Sequence, residues 1–522
     1  MTEDKLMEEL RRHINQIIWG SFYIFIGIII TQVIAILTQV LIARSLGPES
    51  YGLIVLALMV VAVSTRILQL GLPNGLTRYI AQFKNIEKKL DIVKSGLTLS
   101  LPVTIVFSLL TYFGSDFIAN GIFHEAELAY IIKIFSFAIP FSVLLELLIS
   151  SLRGYYKAKE KVLVEVFRMG GLLTILSILF LTGFLNPATV SIFWVLSFVI
   201  GTVTASYLLF RTTGKSIKKI TAIKSSFKKE LLFFSFPLMI SGGLAILMNN
   251  FDTIMIGYFL ESTDVGIYNV AYKLAGFMLI PLSFLGYIYF PLCSKLLKEN
   301  KVKELKKLLP LINKWGAVSV FPLIFLFLVY PTQVISALFG NEYIGAKYAL
   351  QILTLGYLVH LLNGKTGETL KSGGYTKVIL WAALLSVVVN IFLNILLIPL
   401  LGIEGAAIAT GASFFSIGII YIFAVERYMG ISPFSKKYTL NCFLALVSGI
   451  SVVLLYNNIP ISFRFLSLVT SVLLFTIFYL LLNVITKNFE REDIFLVEML
   501  ENKTHLDLGW LKRKIIKFGG DE

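Results

Sequence analysis

Apolar positions in this chain neither alternate nor keep to one helical stripe. They come in long unbroken runs, fourteen in all, at 19–43, 51–72, 92–113, 128–151, 162–184, 187–210, 231–259, 266–292, 311–330, 347–370, 378–400, 403–426, 439–457 and 464–486. A hydrocarbon core about 30 Å thick needs about 20 helical residues to cross it. Backbone polar groups at that depth must be satisfied within the segment, which a helix does. The pattern predicts an all-α, polytopic membrane protein with about 14 transmembrane helices, one per run.

The runs repeat. Leu46-Gly47-Pro48-Glu49-Ser50-Tyr51-Gly52 lies between runs one and two, and Leu260-Glu261-Ser262-Thr263-Asp264-Val265-Gly266 between runs seven and eight. Gly52 and Gly266 are 214 positions apart; Lys161 and Lys377, and Arg211 and Arg427, are 216 apart. Leu152-Arg153-Gly154-Tyr155 after run four resembles Leu370-Lys371-Ser372-Gly373-Gly374-Tyr375 after run ten. A near-constant offset over several matches argues for two six-helix halves. Six is even, so both halves enter the membrane from the same side. Such parallel repeats pack about an axis along the membrane normal, with a substrate site between them. The expected order is an interfacial helix over 1–18, a first bundle over 19–210 and a basic linker over 211–230. A second bundle follows over 231–426, two additional helices with their preceding loop over 427–486, and a basic tail over 487–522. The two bundles are expected to surround a central cavity.

Charge orients the runs. Of the 46 Lys and Arg residues, 38 fall in the two tails and in every second loop. The opposite loops hold only Arg44, Lys347 and Arg464. Basic loops stay in the cytoplasm, so both termini are expected there, in a cell membrane. The net charge of +15 is thereby read as a topology signal beside anionic lipid headgroups, not as a nucleic-acid surface. Only 15% of residues are charged and 57% are hydrophobic, against roughly 25% charged in soluble domains. The first run is too long for a signal-peptide core and lacks a small-residue cleavage site. Leu6, Leu10, Ile14 and Ile17 suggest an interfacial helix before it, and Leu508, Trp510, Leu511, Ile515 and Ile516 among cations suggest another in the tail.

Ala43-Arg44-Ser45-Leu46-Gly47-Pro48-Glu49-Ser50-Tyr51-Gly52 resembles the ARxLGPxxYG signature of polysaccharide-biosynthesis membrane proteins. Gly71-Leu72-Pro73-Asn74-Gly75-Leu76-Thr77-Arg78-Tyr79 is similar to that family's exit from the second helix. Asp252-Thr253-Ile254-Met255-Ile256-Gly257-Tyr258, followed by Val265-Gly266-Ile267-Tyr268-Asn269-Val270-Ala271, resembles its second-half signature. These are the Wzx-type flippases, within the multidrug, oligosaccharidyl-lipid and polysaccharide exporter superfamily. The resemblance extends over about twelve runs. It implies translocation of a polyprenyl phosphate- or diphosphate-linked oligosaccharide from the cytoplasmic to the outer face.

Chemistry agrees with that implication. An anionic, sugar-bearing head needs a hydrated cationic cavity, and its lipid tail needs a side opening. Charges inside spans are costly and face such cavities by default. Five cations lie more than three residues from either end of a run: Arg66, Lys133, Arg168, Lys273 and Lys365. Arginine can grip phosphate oxygens in bidentate fashion, whereas lysine is a point charge. Asp252 is a candidate partner for Lys273, and Glu165 lies three residues before Arg168. Uncharged candidates are Gln32, Gln39, Asn249, Asn250, Asn390 and Asn394. Each polar group has a structural alternative, either snorkelling to an interface or bonding between helices.

Gly364-Lys365-Thr366 and Gly214-Lys215-Ser216 end like a phosphate-binding loop, but Val359 and Leu209 stand where its first glycine belongs. No ATPase is expected; the energy source is an ion gradient, the membrane potential or downstream consumption of product. The two cysteines and four histidines are scattered, so no metal or other cofactor is expected. A membrane glycosyltransferase or polymerase would need paired acid and base groups, which the outer loops lack. A drug or cation exporter would favour acidic cavity groups, whereas the intramembrane excess here is basic. The expected partners are the lipid-linked substrate, membrane lipids and a coupling ion, with the chain a monomer.

Overall fold

The computed structural model describes residues 3–214, 225–456 and 464–489, with Asp493, Glu501 and Gly509. Side chains 1–26 and 240–249 lie outside that description. So do most of the basic linker and nearly all of the basic tail with its expected interfacial helix, whereas the expected N-terminal interfacial segment is described from Glu3 as the start of a helix that runs on into the first apolar run.

Among the described residues the chain is helical, without strands. Two compact units, Met1–Asn269 and Val270–Glu522, divide it, and the division falls inside α9. The first unit holds α1 (Glu3–Leu68), α2 (Leu72–Gln82), α3 (Ile86–Phe113), α4 (Leu128–Ser136), α5 (Ala138–Gly154), α6 (Ala158–Leu181), α7 (Pro187–Thr213), α8 (Lys228–Phe259) and the start of α9 (Ser262–Gly276). The second holds the rest of α9, then α10 (Leu279–Lys298), α11 (Val302–Val329), α12 (Pro331–Leu338), α13 (Lys347–Asn363), α14 (Thr366–Ser372), α15 (Thr376–Leu401), α16 (Ile403–Met429), α17 (Lys436–Tyr456) and α18 (Arg464–Ile485). Among the described residues nine helices are long and apolar enough to cross a membrane, ten if α4 and α5 form one bent span.

These helices are turned inside out relative to those of a soluble protein. In α15, Trp381, Leu385, Val388, Phe392 and Leu396 are exposed, while Ala382, Ser386, Asn390 and Asn394 are buried. The Ser386 hydroxyl donates to the Ser413 carbonyl of α16 at 3.0 Å. Lipid supplies no hydrophobic drive between helices, so small and polar residues form the contacts.

Several runs are broken, each for a local reason. Runs one and two meet at a sharp corner inside α1, where Gly47 adopts φ 78° and ψ 171°. Glycine tolerates that conformation, and Pro48 suits the first turn of the rod that follows. Just beyond the corner, a Cβ on Gly52 would overlap the Ser262 carbonyl, and one on Gly266 would overlap the Pro48 carbonyl. The Tyr51 hydroxyl donates to Asn269 Oδ1 at 2.9 Å. The two repeated motifs therefore touch each other, backbone to backbone.

Run four bends by 42° between α4 and α5. Pro140 has no N–H for the Ser136 carbonyl, and the Ser108 hydroxyl donates to that carbonyl at 2.8 Å instead. Run eight breaks between α9 and α10, where Pro281 leaves the Phe277 carbonyl to a tighter bond from Ile280 N–H at 3.1 Å. Run ten breaks at Gly364, φ 58°, where Asn313 Oδ1 accepts from Lys365 N–H at 2.9 Å. The Gly364-Lys365-Thr366 segment is thus a helix break between α13 and α14, not a phosphate-binding loop.

Candidate functional site, a cleft with two arginines in the first unit

The end of α1 from Leu58, with Gln69 just beyond it, forms one wall of a cleft of about 560 Å³. The other walls come from α5 (Ser142, Leu145, Glu146), α6 (Glu165, Arg168, Met169), α7 (Trp194, Phe198) and α8 (Asn250). Helix contacts hold these walls: α1 packs on α6 and α8, and α7 on α5 and α6. Thr65 and Ser142 hydroxyls bond across α1 and α5 at 2.6 Å.

Three of the sequence candidates, Arg66, Arg168 and Asn250, converge here. Arg66 is exposed to the cleft and makes no hydrogen bond or ion pair with the described residues. Arg168 is half-buried. Its Nη2 and Nε donate to Glu165 Oε2 at 2.8 and 3.2 Å, and its guanidinium lies over the Phe198 ring at 5.0 Å. A Cβ on Gly201 would come within 2.9 Å of Arg168 Cδ, so this glycine gives the arginine stem its room. Glu146 faces the same space without an ion pair among the described residues.

A smaller chamber of about 260 Å³ shares Arg66, Gln69 and Glu146 with the cleft and adds Asn74, Arg153 and Lys161. The turn from α1 into α2 shapes it. Leu70 and Gly71 both take positive φ, 51° and 69°, and a Cβ on Gly71 would overlap the Ser235 carbonyl of α8.

The remaining candidates lie elsewhere. Lys133 Nζ pairs with Asp116 at 3.0 Å in an exposed position. Asp252 is buried and accepts from the Tyr268 hydroxyl at 2.9 Å. Gln32 is exposed, Gln39 is half-buried, and the Asn249 side chain is outside the described residues. In the second unit Lys273 is half-buried in α9. Lys365 Nζ pairs with Glu368 at 3.2 Å. Asn390 and Asn394 are buried, with Asn394 Nδ2 donating to Asn390 Oδ1 at 3.1 Å.

Glu146, Gln69, Arg153 and Lys161 are lining residues that the cation-centred reading passed over. Glu146 carried a signal: it is a carboxylate in the middle of Leu144-Leu145-Glu146-Leu147-Leu148, inside run four. Arg153 and Lys161 were absorbed into the loop-charge asymmetry.

The second unit contributes a different surface. Between α11, α13, α17 and α18 lies a groove of about 480 Å³, lined by Phe321, Phe325, Leu362, Leu446, Ile450 and Phe475 among other apolar residues. The Phe325 and Phe475 rings stack at 4.5 Å. No charged side chain lines it. Among the described residues no group of three or more His, Cys, Asp or Glu could hold a metal ion.

Comparison with known proteins places this architecture. An uncharacterized membrane protein of Methanocaldococcus jannaschii is 25% identical, covering 82% of this chain and 87% of its own length. A probable low-salt glycan biosynthesis flippase, Agl15, of Haloferax volcanii is 27% identical over a shorter stretch, 34% of this chain and 38% of its own. Among solved structures, the lipid II flippase MurJ in an inward closed conformation superposes with a TM-score of 0.69 at 17% identity, covering 89% of this chain and 98% of that one. The fold is therefore that of polytopic membrane transporters. A profile described as MatE matches residues 237–396. The profile described as polysaccharide biosynthesis protein matches residues 17–297, more than half of the chain, and the chain belongs to that family.

Proposed function

We propose that this protein is a flippase that carries a lipid-linked oligosaccharide, joined to its polyprenyl carrier through phosphate or diphosphate, from the cytoplasmic to the outer face of the membrane. The observation that carries this reading is Arg66, a guanidinium inside an apolar run that faces an open cleft, with no carboxylate bonded to it among the described residues. An arginine facing lipid at the bilayer centre would cost about 2.5–3.5 kcal/mol or more. A hydrated cleft removes that cost and leaves the fork free for phosphate oxygens. Arg168 stands across the cleft, and its bond to Glu165 can exchange for one to substrate. Asn250, Trp194 and Phe198 supply an amide and aromatic faces suited to sugar rings.

The names of the Haloferax volcanii relative and of MurJ support the same reading. The apolar groove of the second unit offers a surface for a lipid chain. Both termini are placed in the cytoplasm, fourteen spans are assigned from the runs, and the chain acts as a monomer by alternating access. The protein is read as a carrier rather than an enzyme, in keeping with the flippase names among its relatives.

The test is transfer of a fluorescent lipid-linked oligosaccharide across proteoliposomes. Arg66→Ala is expected to lower the rate at least tenfold while protein level and melting temperature stay near the parent's, and Arg66→Lys to keep part of the rate. Transport by Arg66→Ala at the parent's rate would overturn the reading of Arg66 as a phosphate-binding group.

A further inference from the structure

The small chamber beside the cleft is a separate volume with its own donors. Arg153 spends one Nη on the Ser150 hydroxyl at 2.7 Å, and its buried Nε has no partner among the described residues. Gln69, only 3% exposed, likewise has its amide nitrogen buried and unpartnered. Lys161 and Asn74 are exposed at the rim. Three cations, Arg66, Arg153 and Lys161, face one carboxylate, Glu146. Buried donors without acceptors are costly; the two here belong to residues that line the chamber from the α1–α2 turn and from α5, with Lys161 of α6 at its rim. A ligand with several acceptor oxygens and negative charge would satisfy them together. At about 260 Å³ the chamber is below the range of about 300–1,000 Å³ usual for small-molecule clefts. It has room for a phosphate or diphosphate and none for a sugar chain.

We infer that this chamber is a phosphate-binding subsite, in which Arg153, Lys161 and Gln69 hold a lipid-borne phosphate oxyanion next to the cleft, with Arg66 shared between the two. The inference deepens the flippase reading and rests on it for the substrate's identity. Phosphate oxygens docked in the chamber pass to Arg66 and then reach Arg168, while the glycan occupies the larger volume. Glu146, lining both spaces, repels the anion and keeps either station from becoming a trap.

The experiment measures equilibrium binding of radiolabelled inorganic pyrophosphate to the full-length protein in phosphatidylcholine nanodiscs. Saturable binding is expected, weakened tenfold or more by Lys161→Gln and by Arg153→Gln, and partly kept by Arg153→Lys. Lys84→Gln, which changes net charge equally but lies outside the chamber, is expected to bind like the parent. Lys161 is exposed, so its loss tests the site without threatening the fold. Nanodiscs containing phosphatidylglycerol distinguish two sources of the same chemistry. Competition that disappears in Lys161→Gln assigns the chamber to a bilayer phospholipid headgroup; absence of competition assigns it to the carrier-lipid head. Unchanged pyrophosphate binding in Lys161→Gln and Arg153→Gln would overturn the subsite. The flippase reading fails separately: proteoliposomes of the parent would then move no lipid-linked oligosaccharide while pyrophosphate binding still depended on Arg153 and Lys161.

Discussion

The two units handle intramembrane charge in opposite ways. In the first, Arg66 faces a cleft unpaired among the described residues, and Arg168 is held by Glu165 at its edge. In the second, Lys314 is closed against Asp493 at 2.7 Å, with side chains 4% and 0% exposed, and Trp315 Nε1 donates to the same carboxylate at 2.7 Å. Lys365 is paired with Glu368, and the large groove nearby is wholly apolar. A cation neutralised by a buried carboxylate organises the fold, whereas one left facing a hydrated space can exchange its partner. On the proposed reading, an intramembrane cation serves structure where a buried carboxylate encloses it and binding where it borders an open cleft.

The largest effect should follow from opening the buried pair. Asp493→Ala strands the Lys314 ammonium, and removing one partner of a buried pair costs about 3–5 kcal/mol. Thermal unfolding in detergent should show a drop of that order, and the Lys314→Met, Asp493→Leu double variant should recover most of it. Loss of transport at unchanged stability in Asp493→Ala would instead place this pair with the binding charges and erase the contrast.

The repeated motifs give the next effect. Gly52 and Gly266, aligned by the offset in sequence, meet each other in the fold. An added methyl there meets a backbone carbonyl, which cannot swing aside. Overpacking of a tight contact costs about 1–3 kcal/mol, so Gly52→Ala and Gly266→Ala should each lower the melting temperature, and by similar amounts. A neutral outcome at one glycine alone would show that the two motifs are not mechanically equivalent.

Run length and apolarity were enough to place helices, because the described part of each run lies, to within three residues at its ends, in a helix or a broken pair of helices. The breaks were harder to read. Pro140 and Pro281 are visible in sequence, but whether a proline bends a span depends on what satisfies the orphaned carbonyl, here Ser108 in one case and a tightened turn in the other. The neutralisation of Arg168 by Glu165 was legible, since both lie on one helix turn. The convergence of Arg66, Arg168 and Asn250 was not, because it depends on how α1, α6 and α8 pack. Lys314 looked like one more cytoplasmic charge; its burial depends on Asp493, 179 positions further along the chain.

Within the cleft, Glu165→Gln sharpens the contrast with Asp493. Both substitutions free a cation from its carboxylate, but Arg168 borders a cleft that water can enter. Pairs in such surroundings contribute about 0–1 kcal/mol, so unfolding should shift by no more than that. Affinity for the lipid-linked oligosaccharide should rise, because the guanidinium no longer has to leave Glu165. A destabilisation as large as that of Asp493→Ala would mean that Arg168 is a structural residue.

The smallest effect belongs to Lys133, a cation inside a predicted run that the structure pairs with Asp116 at 3.0 Å. Its side chain is 35% exposed and that of Asp116 63% exposed, so solvent screens the pair and the run's depth does not matter. Lys133→Gln should change stability by about 0–1 kcal/mol and leave pyrophosphate binding and transport at the parent's level. Lys133 shares with Arg66 a charge within an apolar run, but not the cleft. If position in the run alone determined function, the two substitutions would have similar consequences. A transport defect in Lys133→Gln as deep as that of Arg66→Ala would show that cleft geometry is the wrong criterion for separating binding cations from structural ones.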